Sequence, residues 1–246
     1  MAILEVSGIS MAFGGNRVLE EVSIDVDEGM VTGLIGPNGA GKTTLFNIVS
    51  GLLDPTGGRV VLGGSDVTKA GPAARARKGL SRTYQQLELF TSLSVRDNVR
   101  VAGEIRNAWG RRFRINVAAE TDRVMTLLGL DDVADREVGE LPTARARIIE
   151  VARALMTKPR VLLLDEPASG QTEAETAAFG RLLSQLVAED GLAVCLVEHD
   201  VSLVMGVCGT IHVLDYGQII ASGPPEMIRL EPAVIDAYLG STEGVT

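Results

Sequence analysis

The chain of 246 residues is 46% apolar, which is enough for one sizeable hydrophobic core or two smaller lobes. Its formal net charge of -9 argues against sequence-independent binding to nucleic acid, because such binding needs clustered Lys and Arg to neutralise phosphates. No stretch approaches the roughly 18 continuous apolar residues of a membrane-spanning helix, and the N-terminus lacks the basic-then-apolar layout of a signal peptide. We therefore expect a protein that stays in the cytosol and does not bind nucleic acid.

The first part of the chain is predicted to contain short strands. Val22, Ile24 and Val26 alternate with polar residues, which is the period-two pattern of a strand with one solvated face. Residues 3–6 and 60–62 are also strand-like. Together these segments predict a small antiparallel layer beside the site that the following stretch forms.

Residues 36–43, Gly-Pro-Asn-Gly-Ala-Gly-Lys-Thr, fit the pattern of a phosphate-binding loop, which needs a strand before it and a helix after it. The apolar run 31–35 has the length of a strand. Apolar residues after the loop recur at the spacing of one helix face, at Leu45, Ile48, Val49 and Leu52. Both flanks are therefore present, and we predict a nucleotide site here.

The chemistry of this loop favours a triphosphate. Its glycines let backbone N–H groups surround phosphate oxygens, and the helix N-terminus adds partial positive charge. Lys42 would reach the β- and γ-phosphates, while the Thr43 hydroxyl would bind Mg²⁺. The predicted ATP contacts of the loop are Pro37, Asn38, Gly39, Ala40, Gly41, Lys42, Thr43 and Thr44. Upstream, the ring of Phe13 would stack on adenine. The alternative is that Phe13 is an aromatic residue of the hydrophobic core.

Helical patterns dominate from Leu87 to Glu140. We predict that 87–145 is a helical subdomain inserted into a nucleotide-binding core formed by 1–86 and 146–246. This segment holds a basic run, Arg111-Arg112-Phe113-Arg114, which we interpret as a solvated face, with a lipid contact as the alternative.

Two apolar runs further on predict buried parallel strands that deliver polar side chains to the edge where the loop starts. The first, 161–164, ends in Asp165 and Glu166. Asp165 would hold Mg²⁺ directly or through water, and Glu166 would orient and deprotonate the attacking water. Such an acidic pair is common in isolation and gains its specificity from the phosphate loop upstream. The second run, 193–197, precedes His199, whose imidazole would hydrogen-bond the γ-phosphate.

The rest of the chain completes the predicted fold. Residues 211–214 and 218–221 predict a hairpin, and the tail up to 240 is predicted to be helical. Cys195 and Cys208 lie in no recognisable motif, so we expect reduced packing residues.

With the loop, Gln85, the Asp165-Glu166 pair and His199 in this order, the chain resembles the ATP-binding cassette subunits of ABC transporters over essentially its whole length. It is most similar to the ATPase subunits of branched-chain amino acid importers. That closer likeness is carried by residues 13–15, 82–85, 197–200 with 203–205, and 234–240. The resemblance implies an α/β P-loop NTPase with a mostly parallel sheet core, an antiparallel β subdomain and an inserted helical subdomain.

The resemblance also implies roles and partners. Gln85 would bind Mg²⁺ and sense the nucleotide, His199 would be the switch histidine, and two cassettes would sandwich two ATP molecules. A groove beside 85–100 would receive a coupling helix from an integral membrane permease subunit, which places the chain on the cytoplasmic face of the inner membrane. The solute would be a branched-chain amino acid or a related small molecule.

One motif departs from the family pattern. Residues 141–145, Leu-Pro-Thr-Ala-Arg, stand where the signature Leu-Ser-Gly-Gly-Gln is expected, and Pro142 has neither a hydroxyl nor an N–H to offer a phosphate. In the loop 168–172, Thr172 stands where the family usually has Asp or Asn. Because both elements act on the opposite cassette's nucleotide, we expect an asymmetric pair with a different cassette. The alternatives are a regulatory cassette with little hydrolysis and a soluble cassette working on DNA or ribosomes, which the acidic charge disfavours.

Overall fold

The structure is a computed structural model that describes residues 2–84 and 86–239. Within these residues the strands and α-helices follow in the order β1 (Ala2–Phe13), β2 (Asn16–Asp27), β3 (Val31–Ile35), α1 (Lys42–Ser50), β4 (Gly57–Leu62), β5 (Ser65–Asp66), α2 (Pro72–Arg77), β6 (Leu80–Arg82), α3 (Val95–Ala108), α4 (Val117–Leu127), α5 (Thr143–Leu155), β7 (Val161–Asp165), α6 (Glu173–Asp190), β8 (Ala193–Val197), α7 (Val201–Val207), β9 (Thr210–Asp215), β10 (Gln218–Gly223), α8 (Pro225–Ile228) and α9 (Pro232–Leu239). Short 3-10 turns lie at 111–113, 131–133 and 138–140.

The N-terminal strands form the predicted antiparallel layer, a four-stranded sheet in the order β2-β1-β4-β5. In β2 the side chains of Val22, Ile24 and Val26 are buried while the polar residues between them are exposed. One face of this strand therefore packs and the other is solvated, as the period-two pattern predicts.

A second sheet has the order β10-β9-β3-β8-β7-β6 and is parallel from β9 to β6, while β10 returns antiparallel to β9. All five residues of β3, β7 and β8 are buried, as expected for strands covered on both faces. The predicted α/β class with a mostly parallel core sheet and the C-terminal hairpin are confirmed.

Alternate residues of the central strands enter two different apolar clusters. In β7, Leu162 and Leu164 join the cluster that contains the buried residues of α3 to α6, whereas Leu163 packs with α1 and the antiparallel sheet. The helices of 87–145 thus share one core with the central sheet, and Val99 and Met125 are fully buried in it. A subdomain boundary at 87 and 145 stays a prediction.

Helix α1 is shorter than its apolar spacing predicted. Gly51 ends it in the left-handed conformation with φ of 81°, and Leu52 lies beyond the end and is 48% exposed. A Cβ on Gly51 would lie 2.7 Å from the Ala70 oxygen and 2.8 Å from Arg75 Nε. The prediction that Leu52 belongs to the packed helix face is therefore wrong, because the chain must turn away beneath the buried Arg75.

No helix in the described ranges is both long and apolar enough to span a membrane.

Candidate nucleotide-binding and hydrolysis site

The phosphate loop connects β3 to α1, as the sequence predicts. Gly36, Gly39 and Gly41 have φ of 152°, 83° and 111°, a region that favours glycine. A Cβ on Gly36 would lie 1.9 Å from the Leu214 oxygen, and one on Gly41 would lie 2.7 Å from Leu19. The loop conformation therefore depends on glycine at these positions.

Lys42 is the first residue of α1 and is only 6% exposed. Its Nζ donates to the carbonyl oxygens of Gly36 at 2.6 Å and Pro37 at 2.9 Å. Burial lowers the pKa of this ammonium, and the charges of Glu166 and Asp165 oppose that shift. A largely buried cation thus lies against the loop within the field of both acids, where an anionic phosphate would stabilise it.

Strand order brings the predicted catalytic residues to one edge. Strand β8 lies between β3 and β7 and is parallel to both, so the phosphate loop, Glu166 and His199 all follow carboxyl ends of neighbouring strands. Glu166 has φ of 50° and its N–H donates to the Val197 oxygen at 2.9 Å. A non-glycine residue held in this region costs roughly 1 to 3 kcal/mol and is found preferentially at functional sites.

Glu166 and His199 contact each other directly. The imidazole Nε2 lies 2.9 Å from Glu166 Oε1, and the side chains are 19% exposed for Glu166 and 45% for His199. A carboxylate held by a hydrogen bond and still open to solvent can take a proton from a bound water. The pairing is the arrangement that a general base with an orienting partner requires.

Glu198 is a buried carboxylate in this region that the sequence did not single out as functional. It accepts hydrogen bonds from the backbone N–H of Ala168 at 2.6 Å and of His199 at 3.0 Å, and burial raises its pKa. It therefore ties the loop after β7 to the loop after β8. In the sequence, Glu198 was recognisable only as an acidic residue between an apolar strand and His199. Nothing in the sequence indicated that it binds the backbone of Ala168, 30 positions away.

Two residues predicted to bind Mg²⁺, Thr43 and Asp165, lie at the start of α1 and at the end of β7. Among the described residues no cluster of three or more His, Cys, Asp or Glu could cage a metal. Mg²⁺ in nucleotide enzymes usually takes only one or two protein carboxylates and completes its shell with phosphates and water, so the Thr43 hydroxyl and the Asp165 carboxylate suit it. Gln85, the third predicted ligand, lies outside the described residues.

Phe13 is the last residue of β1 and is 47% exposed. The alternative of a core aromatic is therefore wrong, and stacking of its ring on adenine stays a prediction.

Helix α5, which begins within the segment predicted to replace the signature, has no side-chain cap. Pro142 precedes α5 in an extended conformation with ψ of 149°, so it lies just before the first turn. Arg145 donates to the Gly129 oxygen at 2.7 Å and to Asp132 at 3.2 Å, so its guanidinium is already bound within its own chain. In the loop after β7, Thr172 forms a capping box with Glu175 at the start of α6.

Comparisons with known proteins agree on one family. A model described as ABC transporter matches residues 19–169, and one described as branched-chain amino acid ATP-binding cassette transporter matches 218–243. The high-affinity branched-chain amino acid transport ATP-binding protein BraF of Pseudomonas aeruginosa is 39% identical, and LivG of Escherichia coli is 37% identical, each over 97% of this chain and 98% of its own length. The lipopolysaccharide export system ATP-binding protein LptB of Escherichia coli is 33% identical over 98% of both chains. A crystal structure of the ADP conformation of an ATP-binding cassette has a TM-score of 0.87 at 30% identity, covering 98% of this chain and 99% of that one.

Proposed function

Because this chain belongs to the ABC transporter family of ATP-hydrolysing subunits, we propose that it energises the uptake of branched-chain amino acids or a related small solute. The contact between Glu166 and His199 at the edge that carries Lys42 most directly supports ATP hydrolysis as the source of energy. The similarity to BraF and LivG, which exceeds that to LptB, supports the class of solute.

The proposed mechanism assigns each step to a residue of this chain. Backbone N–H groups of the loop and the Lys42 ammonium bind the β- and γ-phosphates, as phosphoryl transfer depends mainly on positioning and charge neutralisation. Thr43, Asp165 and Gln85 would hold Mg²⁺, which supplies positive charge at the phosphates. Glu166 deprotonates the attacking water, and His199 holds Glu166 in place and contacts the γ-phosphate.

A groove supports the proposed contact with a permease subunit. It has a volume of about 370 Å³ and lies between the end of β6 and helices α3 and α5. Its wall includes Tyr84, Ala102, Ile105 and Arg153, which combine apolar surface with one cationic side chain. We propose that a short helix of an integral membrane permease docks there, with this chain on the cytoplasmic face of the inner membrane. Permease subunits that co-purify with the chain from membranes would support this, and their absence would count against it.

We also propose that the partner is a second, different cassette. Pro142 offers no donor, Arg145 is engaged with Gly129, and Thr172 caps α6, so none of these three side chains has a free donor for a partner's nucleotide. A hydrolytic site is then complete only where the partner supplies the signature. The test is ATPase activity of the purified chain alone and with its co-purified partner cassette. Brisk hydrolysis by the isolated chain would overturn the asymmetric pair.

The same altered signature favours a second candidate, a regulatory cassette that binds ATP but hydrolyses it too slowly to drive transport. The intact pair of Glu166 and His199 opposes it. Single-turnover hydrolysis of ATP bound to this chain within the assembled complex separates the two functions. Release of ADP on the timescale of transport supports hydrolysis here, and retention of ATP supports the regulatory role.

A further inference from the structure

The guanidinium of Arg82, at the end of β6, connects three parts of the nucleotide site. Its Nη2 donates to Asp165 Oδ2 at 2.9 Å, and its Nη1 donates to Asn47 Oδ1 at 2.7 Å and to Ser50 Oγ at 3.1 Å. Asn47 and Ser50 belong to α1, the helix that begins with Lys42. Arg82 thus fixes the distance between the carboxylate at the tip of β7 and the helix of the phosphate loop.

This ion pair is buried and geometrically constrained. The side chains of Arg82 and Asp165 are only 6% and 5% exposed. The guanidinium also lies 5.5 Å from the ring centre of Phe46 and 5.2 Å from that of Tyr84. A buried charge pair persists only when its geometry is good. Arg82 Nε is buried without a hydrogen-bond partner among the described residues, so the guanidinium is held through its two terminal nitrogens, Nη1 and Nη2.

The contact with Arg82 occupies only one of the two carboxylate oxygens of Asp165. In the described part of the chain, Arg82 is the only side chain that donates to this carboxylate, and it uses Oδ2. The carboxylate cannot turn without breaking that bond, so Oδ1 is left in a defined position for a divalent ion. Partners that orient metal ligands in this way commonly affect metal affinity by about 10- to 100-fold.

We propose that Arg82 is a positioning residue that orients the Asp165 carboxylate for Mg²⁺. This rests on the proposed function, because it takes Asp165 as a ligand of the nucleotide-bound metal. Arg82 itself touches neither the metal nor the nucleotide.

The test is a double-mutant cycle that measures metal affinity and not activity. Mn²⁺ binding to the full chain saturated with ADP is followed by electron paramagnetic resonance for the wild type, Arg82→Lys, Asp165→Asn and the double variant. Arg82→Lys keeps the positive charge but loses the branched guanidinium that contacts Asn47, Ser50 and Asp165 at the same time. We expect it to weaken Mn²⁺ binding by about 10- to 100-fold. In the Asp165→Asn background the same change should have no further effect, because the residues act as one unit.

Controls separate positioning from general damage. Binding of a fluorescent ATP analogue in EDTA should be unchanged in Arg82→Lys, since the phosphate loop is intact. Arg75→Lys alters another buried guanidinium, which contacts the carbonyls of Ile48 and Val49 on α1 but no carboxylate, and should leave Mn²⁺ affinity unchanged. Asn47→Ala removes one bond to Arg82 without breaking the ion pair, so a smaller loss in the same direction is expected even if Arg82→Lys folds poorly.

If the wild type binds nucleotide and Mn²⁺, either of two results would overturn the role of Arg82 and leave the proposed function standing. One is wild-type Mn²⁺ affinity in folded Arg82→Lys. The other is simple multiplication of the Arg82 and Asp165 effects in the double variant. Failure of the wild type to bind nucleotide would overturn the proposed function as well, so the two failures are distinguishable.

Discussion

Replacing Arg75 by Met should destabilise the lobe that carries the phosphate loop. Arg75 is fully buried on α2, and its guanidinium donates to four carbonyl oxygens, those of Ile48, Val49, Thr68 and Ala70. The first two lie in the last turn of α1, where carbonyls have no helical partner and where the helix dipole favours a cation. Met has a similar length but no donor, so it fills the space and leaves those oxygens without their charged partner.

The magnitude follows from these contacts. Hydrogen bonds to charged groups contribute roughly 1.5 to 3 kcal/mol each, so four would sum to roughly 6 to 12 kcal/mol. Desolvation of the guanidinium, which also lowers the Arg75 pKa, offsets much of that sum. The Ile48 oxygen additionally keeps the N–H of Gly51 at 3.1 Å. We therefore expect a net loss of about 3 to 5 kcal/mol, because each buried carbonyl oxygen left without a donor costs roughly 1 to 3 kcal/mol.

The assay is urea denaturation followed by circular dichroism, with Arg77→Met as the matched control. Arg77 lies on the same helix but is exposed, so its replacement should change the free energy of unfolding by no more than about 0.5 kcal/mol. Equal losses in the two variants, or a loss below about 1 kcal/mol for Arg75→Met, would refute the reasoning that the four carbonyls depend on this guanidinium.

Three further predictions concern catalysis, pH and the signature. Glu166→Gln should retain ATP binding and lose roughly 10²- to 10⁴-fold in turnover in the assembled transporter, and unchanged turnover would contradict its role as base. Burial lowers the pKa of His212, which contacts Ser222 at 2.8 Å, so the unfolded state takes up the proton first and stability should fall as the pH drops below about 6.5. The midpoint of urea denaturation should no longer fall with pH in His212→Gln. An identical dependence on pH in both proteins would show that another group is responsible. Changing residues 142–145 to Ser-Gly-Gly-Gln should raise ATP hydrolysis by the isolated chain by roughly 10²- to 10³-fold, and no increase would show that the signature is not what limits it.

The positions of the phosphate loop and of the acidic pair were predictable, while their roles stay predictions. The phosphate loop was recognisable because strand, glycines and helix follow within one segment, and Asp165 and Glu166 were placed correctly because strand order carries them to the loop's edge. The partners of Arg82 and Glu198 were not predictable, since Asp165 lies 83 positions from Arg82 and no periodicity connects them. The end of α1 was missed for a similar reason, because it depends on Arg75 arriving from a later helix.

The tie made by Glu198 has a consequence for how this chain responds to an opposing cassette. The backbone at Ala168, which would meet such a partner, and the backbone of His199 are fastened to the two oxygens of one carboxylate. A displacement of either segment by a fraction of an ångström must be shared by the other or break a short bond in a dry interior. In the proposed dimer, pressure on Ala168 would therefore also move the backbone of His199, the residue that contacts Glu166.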